Sequence, residues 1–443
     1  MTLNQTHDPV ARSWLDAAQA DGCDFPIQNL PHAVFRRQGS TEAFRGGVAI
    51  GDQVLDLSAV AASNLLDGPA LKAARAASLP ALNDFFALGP AAWQRLRHAL
   101  FDLLKADAPE ATRATLRGCL VPQAEAAYTV PARIGDYTDF YTSIDHARNI
   151  SRLMNPDGDV TPNFRWIPTA YHGRVSTIGV SGQQFRRPRG QTMAPGAAAP
   201  THQACARLDY ELEVGIWIGQ GNPAGEPIPL AQAERHIFGI GLLNDWSARD
   251  IQFWEMAPLG PFLAKNFATT ISPWIVTMEA LAPYRLPWRR AAGEPQPLPY
   301  LDTDANRAAG AIDIQLEVWL ESARARTEGS GPSRLSATSF RHQYWTPAQM
   351  VAHHTMGGCQ LNPGDLFGSG TISGPGAGEA GALIELTRAG QSPVTLSNGE
   401  QRSFLEDGDA VILRGACTRG GAARIGFGEC RGTVLPVPEP SSP

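Results

Sequence analysis

Lysine is almost missing from this chain, with only Lys72, Lys105 and Lys265 among 37 basic side chains. A basic surplus is missing too, because 43 acidic residues leave a formal charge of −6. That argues against a general nucleic-acid binder, which needs net positive charge or a clustered basic face. No apolar run approaches the roughly 18 to 20 residues that a membrane-spanning helix requires. The start, MTLNQTHDPVARSW, has no basic stretch followed by an apolar one, so a cleaved secretion signal is not expected. The six cysteines (Cys23, Cys119, Cys205, Cys359, Cys417, Cys430) form no CxxC pair and no zinc-like spacing. They read as reduced, buried small hydrophobes in a soluble cytoplasmic protein. Neither a G-X-Y period nor sustained heptads occur, which excludes collagen and coiled coil.

What is present suits a folded, turn-rich protein. Hydrophobic residues make up 43% and charged residues 18%, enough for sizeable cores and too little charge for disorder. Gly (44) and Pro (35) are frequent, which predicts many turns and short strands. At about 150 residues per domain, the length suggests two or three domains, fewer if one is a large β structure.

Along the chain, residues 10–22 read as a short opening helix, with Trp14, Leu15 and Ala18 on one side. In GVAIGDQVLDLS, Gly51-Asp52 sits between two apolar runs, the pattern of a two-residue hairpin. Residues 65–118 are Ala/Leu-rich with helical spacing at Trp93, Leu96, Leu100 and Leu103. Beyond VPQAEAAYTVPAR the texture turns to strands. RLDYELEVGIWIG (207–219) alternates, with Leu212, Val214, Ile216 and Ile218 facing one way and Glu211 and Glu213 the other. IDIQLEVWLES (312–322) alternates in the same manner, as a half-buried antiparallel strand would. Asp407-Gly408 precedes the strand AVIL, and ARIGFGECRGTVLP reads as another strand pair. Segments 284–311 and 322–338 are Pro-, Gly-, Arg- and Ala-rich and read as irregular, and the tail PVPEPSSP is expected to fray.

The pair Glu211 and Glu213 is the strongest local chemical signal. Residues i and i+2 of a strand project from the same face about 7 Å apart. Two carboxylates facing an interior repel unless a partner resolves the charge, and a hard cation such as Mg²⁺ or Ca²⁺ takes carboxylate oxygens. Read alone, the pair fits a solvent-facing strand better than an ion site. Asp139, among the aromatics of DYTDFYTS, and Asp245, ending the apolar run IFGIGLLND, weaken that plain reading. Spacing does not establish that the four converge, and the lack of Cys/His pairs argues against zinc.

His146, seven residues after Asp139 on the first turns of a helix, is the candidate base. Ile150, Leu153 and Met154 are placed on its packed face, and a capping or surface histidine is the competing reading. The pair His353-His354 reads as structural, and His172 beside Gly173 serves either structure or substrate. Arg249, Gln252 and Lys265 follow Asp245 within twenty residues and suit stabilisation of a developing anion. An ion pair of Arg249 with Asp250 is the alternative.

Long ordered blocks carry a resemblance. DYTDFYTS with the following histidine, PTAYHGRVSTIGVSG with RRPRGQ, LDYELEVGIWIGQGNPAGEPIP, HIFGIGLLNDWSARDIQFWEMAPLGPFLAKNFATTISPW and GDLFGSGTISGP resemble the fumarylacetoacetate hydrolase family. FPIQNLPHAVF and GVAIGDQVLDLS resemble an amino-terminal domain that shorter superfamily members lack. The resemblance implies a mainly β fold with some α: a small SH3-like N-terminal β domain with helices (1–130) and a larger C-terminal mixed β-roll catalytic domain (131–443). It implies a homodimer that hydrolyses a carbon–carbon bond of 4-fumarylacetoacetate, a small diketo acid, to fumarate and acetoacetate, ending tyrosine and phenylalanine breakdown. Asp139, Glu211, Glu213 and Asp245 match metal-binding carboxylates for Ca²⁺ and/or Mg²⁺, and Asp245, Lys265 and Thr269 match a second, Mg²⁺-associated set. His146 matches the general base and Glu385 the acid that orients it. Tyr141, Tyr171, Gln252 and Thr371 match substrate contacts, and Arg249 with Lys265 and Gln252 the anion-stabilising donors.

Two positions depart from the family pattern. Asn155 stands near a substrate-contacting arginine position, which Arg152 would have to serve, and Met256 stands where the pattern has tyrosine. Rival readings are an acylpyruvase or decarboxylase of the same superfamily and a non-catalytic metal-binding scaffold.

Overall fold

The hairpin at Gly51-Asp52 shows how closely local chemistry sets the first β unit. Strand Arg45–Ile50 pairs antiparallel with Gln53–Asp56, ending on the pair Ile50 and Gln53. Gly51 turns at φ 58°, and a Cβ there would lie 2.7 Å from the Ala18 nitrogen, so both the turn and the packing require glycine. In the computed structural model, which describes residues 2–437, this hairpin belongs to a five-stranded sheet with His32–Arg37, Leu120–Pro122 and Ala126–Thr129. Most of the tail expected to fray, 438–443, lies outside the described residues.

The helical region follows its periodicity. Helices Gly68–Ala77, Asn83–Ala87, Pro90–Leu104 and Glu110–Arg117 pack over the sheet, burying Trp93, Leu96 and Leu100. Residues 10–22 differ from expectation, forming no α-helix and only the short 3-10 turn Asp16–Gln19. Their polar groups go to tertiary partners instead of a helix ladder. Ser13 Oγ donates to the Leu104 carbonyl at 2.9 Å, and the Gln28 amide donates to the carbonyls of Asp8 (2.8 Å) and Ala11 (3.0 Å).

The larger part is built on an eight-stranded mixed sheet. Along its path run Thr169–His172, Tyr137–Tyr141, Leu366–Gly368, Leu212–Ile218, Ile237–Asp245, Thr269–Ile271 and Ile178–Val180, with Val276–Thr277 also on Ile237–Asp245. A five-stranded sheet joins Ser333–Ser339, Gln315–Glu321, Ala410–Cys417, Ile425–Leu435 and Gln183–Arg186. The architecture is thus an N-terminal β unit with helices and a larger β-rich C-terminal unit, as the fold reading expects. Gln315–Glu321 alternates buried and half-exposed, as its pattern predicts. Leu212–Ile218 does not: every residue is buried, because apolar cores press on both faces of this central strand.

Two further expectations are corrected. Segment 284–311 holds strand Arg285–Leu286, paired with Ala311–Ile312, and helix Asp304–Ala309. Segment 322–338 holds helix Ala323–Glu328 and most of strand Ser333–Ser339. Their small and polar residues mark element ends: Ser322 caps the helix start and Gly329 ends it at φ 67°. Cys359 is exposed and Cys23 half-buried, whereas Cys119, Cys205, Cys417 and Cys430 are buried and all six are free. No helix among the described residues is long and apolar enough to cross a membrane.

The two parts meet through an aromatic cluster. Phe85, Phe86 and Trp93 surround Phe238 at centroid distances of 5.5, 4.4 and 5.2 Å, each pair contributing about 1 kcal/mol beyond its buried area. His32 lies among them, 5.3 Å from Phe85 and 5.4 Å from Phe238, with its backbone bridged to Ile275. Neither ring nitrogen has a hydrogen-bond partner. Burial, and then the positive charge of Arg97, push its pKa down to about 3.

Candidate active site

Strand register brings the acids together. Asp139 lies beside Gly368 on one neighbour and Tyr171 on the other, and Asp245 lies beside Thr269. Asp139, Glu213 and Asp245 are fully buried, and one oxygen from each lies within 4.8 Å of the others. The Tyr171 hydroxyl shares its proton between Asp139 Oδ2 (2.8 Å) and Asp245 Oδ2 (2.9 Å). Thr269 Oγ1 donates to Asp245 Oδ1 at 3.3 Å, and the Gly370 N–H donates to Glu213 Oε2 at 3.0 Å.

Glu211 stands one cation away from this trio. Its Oε1 pairs with Arg249 at 2.8 Å and its Oε2 with Lys265, whose ammonium also meets Asp245 Oδ2 at 2.7 Å. Four expected ligands therefore divide into three that meet directly and one reached through Lys265. The charges follow this geometry. Burial raises the Glu211 carboxyl, but Lys265 and Arg249 outweigh it and hold the pKa at about 2. Asp139 and Glu213 have no such partners, so burial, and then the neighbouring carboxylates, push both well above the usual carboxylate range.

The set fits a hard divalent cation. Asp139 Oδ1 and Glu213 Oε1 are buried with no hydrogen-bond partner, a costly state that oxygen-to-metal coordination relieves. The backbone leaves room for it. A Cβ on Gly368 would lie 2.5 Å from Asp139 Oδ1, 2.8 Å from Glu213 Oε2 and 2.9 Å from the Tyr137 hydroxyl. Gly368→Ala is therefore expected to weaken divalent-cation binding by roughly tenfold or more in calorimetry. Wild-type affinity in that variant would contradict the crowding argument.

His146 begins the helix Ile144–Met154, whose Ser143 cap accepts from the His146 N–H at 3.3 Å. Its Nδ1 meets Glu385 Oε1 at 2.7 Å, leaving Nε2 as the ring nitrogen available for proton transfer. Glu385 also accepts from Asn149 Nδ2 (2.7 Å) and Ser373 Oγ (2.9 Å). Burial raises the Glu385 carboxyl, yet His146 and these hydrogen bonds bring it below its ordinary value. The packed face of the helix is His146 and Ala147. Ile150 and Leu153 are only half-buried, and Met154 is 65% exposed, because the chain leaves the core one turn earlier than its pattern implies.

Arg249 pairs with Asp209 (2.9 Å) and Glu211, not with Asp250, which accepts from the Ala206 N–H at 2.7 Å. Arg249 also donates to Gln252 Oε1 at 3.1 Å, and its Nη2 is buried without a partner. Tyr141 stands edge-on to His146 at 5.5 Å, and Thr371 is buried just after Gly370. Asn155 and Arg152 are exposed at the far end of the His146 helix, and Met256 is 41% exposed. His354 meets Thr138 Oγ1 at 2.9 Å and stacks on Phe367, in keeping with its structural reading, while His172 is exposed.

Asn149, Ser373, Gly368 and Asp209 escaped the sequence reading. Asp209 had a visible signal, since it extends the Glu211 and Glu213 spacing by one more step of two.

A profile described as "Fumarylacetoacetate (FAA) hydrolase C-terminal" matches residues 137–435, and one described as "Fumarylacetoacetase N-terminal" matches residues 28–131. The chain belongs to the fumarylacetoacetate hydrolase family. Fumarylacetoacetase of Oryza sativa subsp. japonica is 46% identical over 431 residues, covering 96% of this chain and 97% of that protein. The Homo sapiens fumarylacetoacetase is 46% identical over 429 residues, covering 95% and 99% respectively. That of Caenorhabditis elegans is 47% identical over 420 residues, covering 94% and 97%. For this family member, similarity spans both the N-terminal β unit and the acid-bearing sheet.

Proposed function

We propose that this chain hydrolyses 4-fumarylacetoacetate to fumarate and acetoacetate, closing tyrosine and phenylalanine catabolism. The observation that carries the reading is a buried His146–Glu385 pair in one site with a buried acidic trio and an Arg249–Lys265 donor set. In this reading residues 131–443 carry the chemistry, residues 1–130 form the N-terminal domain, and the protein acts in the cytoplasm as a homodimer.

A β-diketone cleaves when water adds to one carbonyl and the departing carbon can hold negative charge. Asp139, Glu213 and Asp245, with Glu211 and Thr269 around them, would hold a Ca²⁺ or Mg²⁺ ion, which would supply Lewis-acid polarisation to the substrate. His146 takes a proton from water through Nε2, while Glu385 holds Nδ1 and stabilises the imidazolium. The water oxygen adds to the carbonyl beside the fumaryl group, and the carbon–carbon bond then breaks to release the acetoacetate enolate. Arg249 Nη2, Lys265 and Gln252 donate to the developing negative charge. His146 returns its proton to that enolate. Tyr141 and Thr371 line the substrate path, and Tyr171 acts by orienting Asp139 and Asp245.

The test follows loss of diketone absorbance, with fumarate and acetoacetate identified by NMR. Activity is expected on 4-fumarylacetoacetate, to vanish in EDTA and to return with added calcium or magnesium. Turnover of acylpyruvates alone would favour the other superfamily chemistry, and rates untouched by EDTA would remove the cation from the scheme.

A further inference from the structure

The base and the donors of this site come from distant parts of the chain. Glu385 belongs to the short helix Leu383–Leu386, whereas Arg249 opens the helix Arg249–Glu255. Asp209 touches both. Its Oδ2 accepts from Arg249 Nε at 2.9 Å and from the Ile384 N–H at 3.2 Å. Its Oδ1 accepts from the Leu383 N–H and the Tyr210 N–H, each at 2.8 Å. The side chain is fully buried, and four N–H donors fill the roughly four acceptor directions of a carboxylate.

We propose that Asp209 is a positioning residue that sets the His146–Glu385 pair against the Arg249–Glu211 side of the site. The proposal rests on the hydrolytic reading above. Neutralising Arg249 does not by itself account for Asp209, because Glu211 already pairs with that guanidinium at 2.8 Å. Two of its four donors are backbone amides of the turn that carries Glu385, and these ask for a fixed position more than for charge. A fully bonded carboxylate at this junction resists sliding of one segment past the other. Displacement of a base by about 1 Å can cost a hundredfold in rate.

Asp209→Asn keeps the shape but sets an NH2 against two of the four donors, since each carboxylate oxygen accepts from two. In this variant kcat is expected to fall roughly 10- to 100-fold, with calcium affinity by calorimetry and KM held within about threefold. The double variant D209N/E385Q is expected to lose no more than E385Q alone, since both substitutions act on one unit. The nitrogen resonances of the His146 imidazole are expected to shift in D209N. A kcat within about twofold of wild type, or losses that multiply in the double variant, would overturn the proposal. Should D209N not fold, Asp209→Glu keeps the charge, displaces the carboxylate and is judged by the same measurements. If the wild-type protein fails to turn over 4-fumarylacetoacetate, the hydrolytic reading falls. The His146 resonances then decide the positioning role separately, and an unshifted spectrum overturns it.

Discussion

Replacing His146 by Ala is expected to lower kcat for 4-fumarylacetoacetate by about 10²- to 10⁴-fold, the range for loss of a positioned general base. The loss is expected in kcat more than in KM, because proton transfer belongs to the transition state. Cation binding is expected to stay close to wild type, since Asp139, Glu213 and Asp245 are held by their own strands, and Asp139 and Asp245 by Tyr171 as well. The fold remains as well, because Glu385 keeps its bonds to Asn149 and Ser373 after the imidazole is gone. Glu385→Gln keeps His146 but loosens Nδ1, and a smaller fall of roughly 10- to 100-fold is expected. Steady-state kinetics with calorimetry on the same samples make the check. Unchanged turnover in His146→Ala would mean that another group activates the water, and would remove His146 from the hydrolytic scheme.

The second large effect concerns acid stability and lies outside the active site. In the unfolded chain His32 takes up a proton near pH 6.5, whereas in the folded protein it does so only near pH 3. Between these values the unfolded state binds more protons, so stability falls as the pH falls, by about 1.4 kcal/mol per pH unit from this group. Above pH 6.5 the ring is neutral in both states and the effect disappears. Because neither ring nitrogen has a partner, His32→Phe sacrifices no hydrogen bond and keeps an aromatic ring between Phe85 and Phe238. The variant is expected to stay near wild-type stability at pH 7.5 and to denature less readily at pH 4.5, by about 2 to 3 kcal/mol. Urea titrations at the two pH values measure this. Identical acid sensitivity in both proteins would place the proton uptake elsewhere.

Much of the architecture was legible from local pattern. Gly51-Asp52 between apolar runs set a two-residue hairpin, and the spacing of Trp93, Leu96 and Leu100 set a helix face. Asp245 ends its buried strand as the apolar run before it implies. Composition is a poor guide where it marks the ends of elements and not their absence. Pro, Gly and Ser in 284–311 and 322–338 delimit short elements, and residues 10–22 send their polar groups to distant partners. The strand Leu212–Ile218 shows the same limit, because alternation tells which residues share a face but not whether the second face meets solvent.

The site divides along the same line. The order of residues dictated that Glu211 and Glu213 share a face, that Asp245 follows a buried run, and that His146 sits at a helix start. These follow from strand and helix periods, which act over a few residues. Only the folded chain decided that Asp139, Glu213 and Asp245 meet, while Glu211 turns to Lys265 and Arg249. His146 finds Glu385 across 239 positions, and Asp209 reaches the same turn across 174. Such pairings depend on which strands become neighbours and on burial removing water as the alternative partner, and neither is encoded in local spacing.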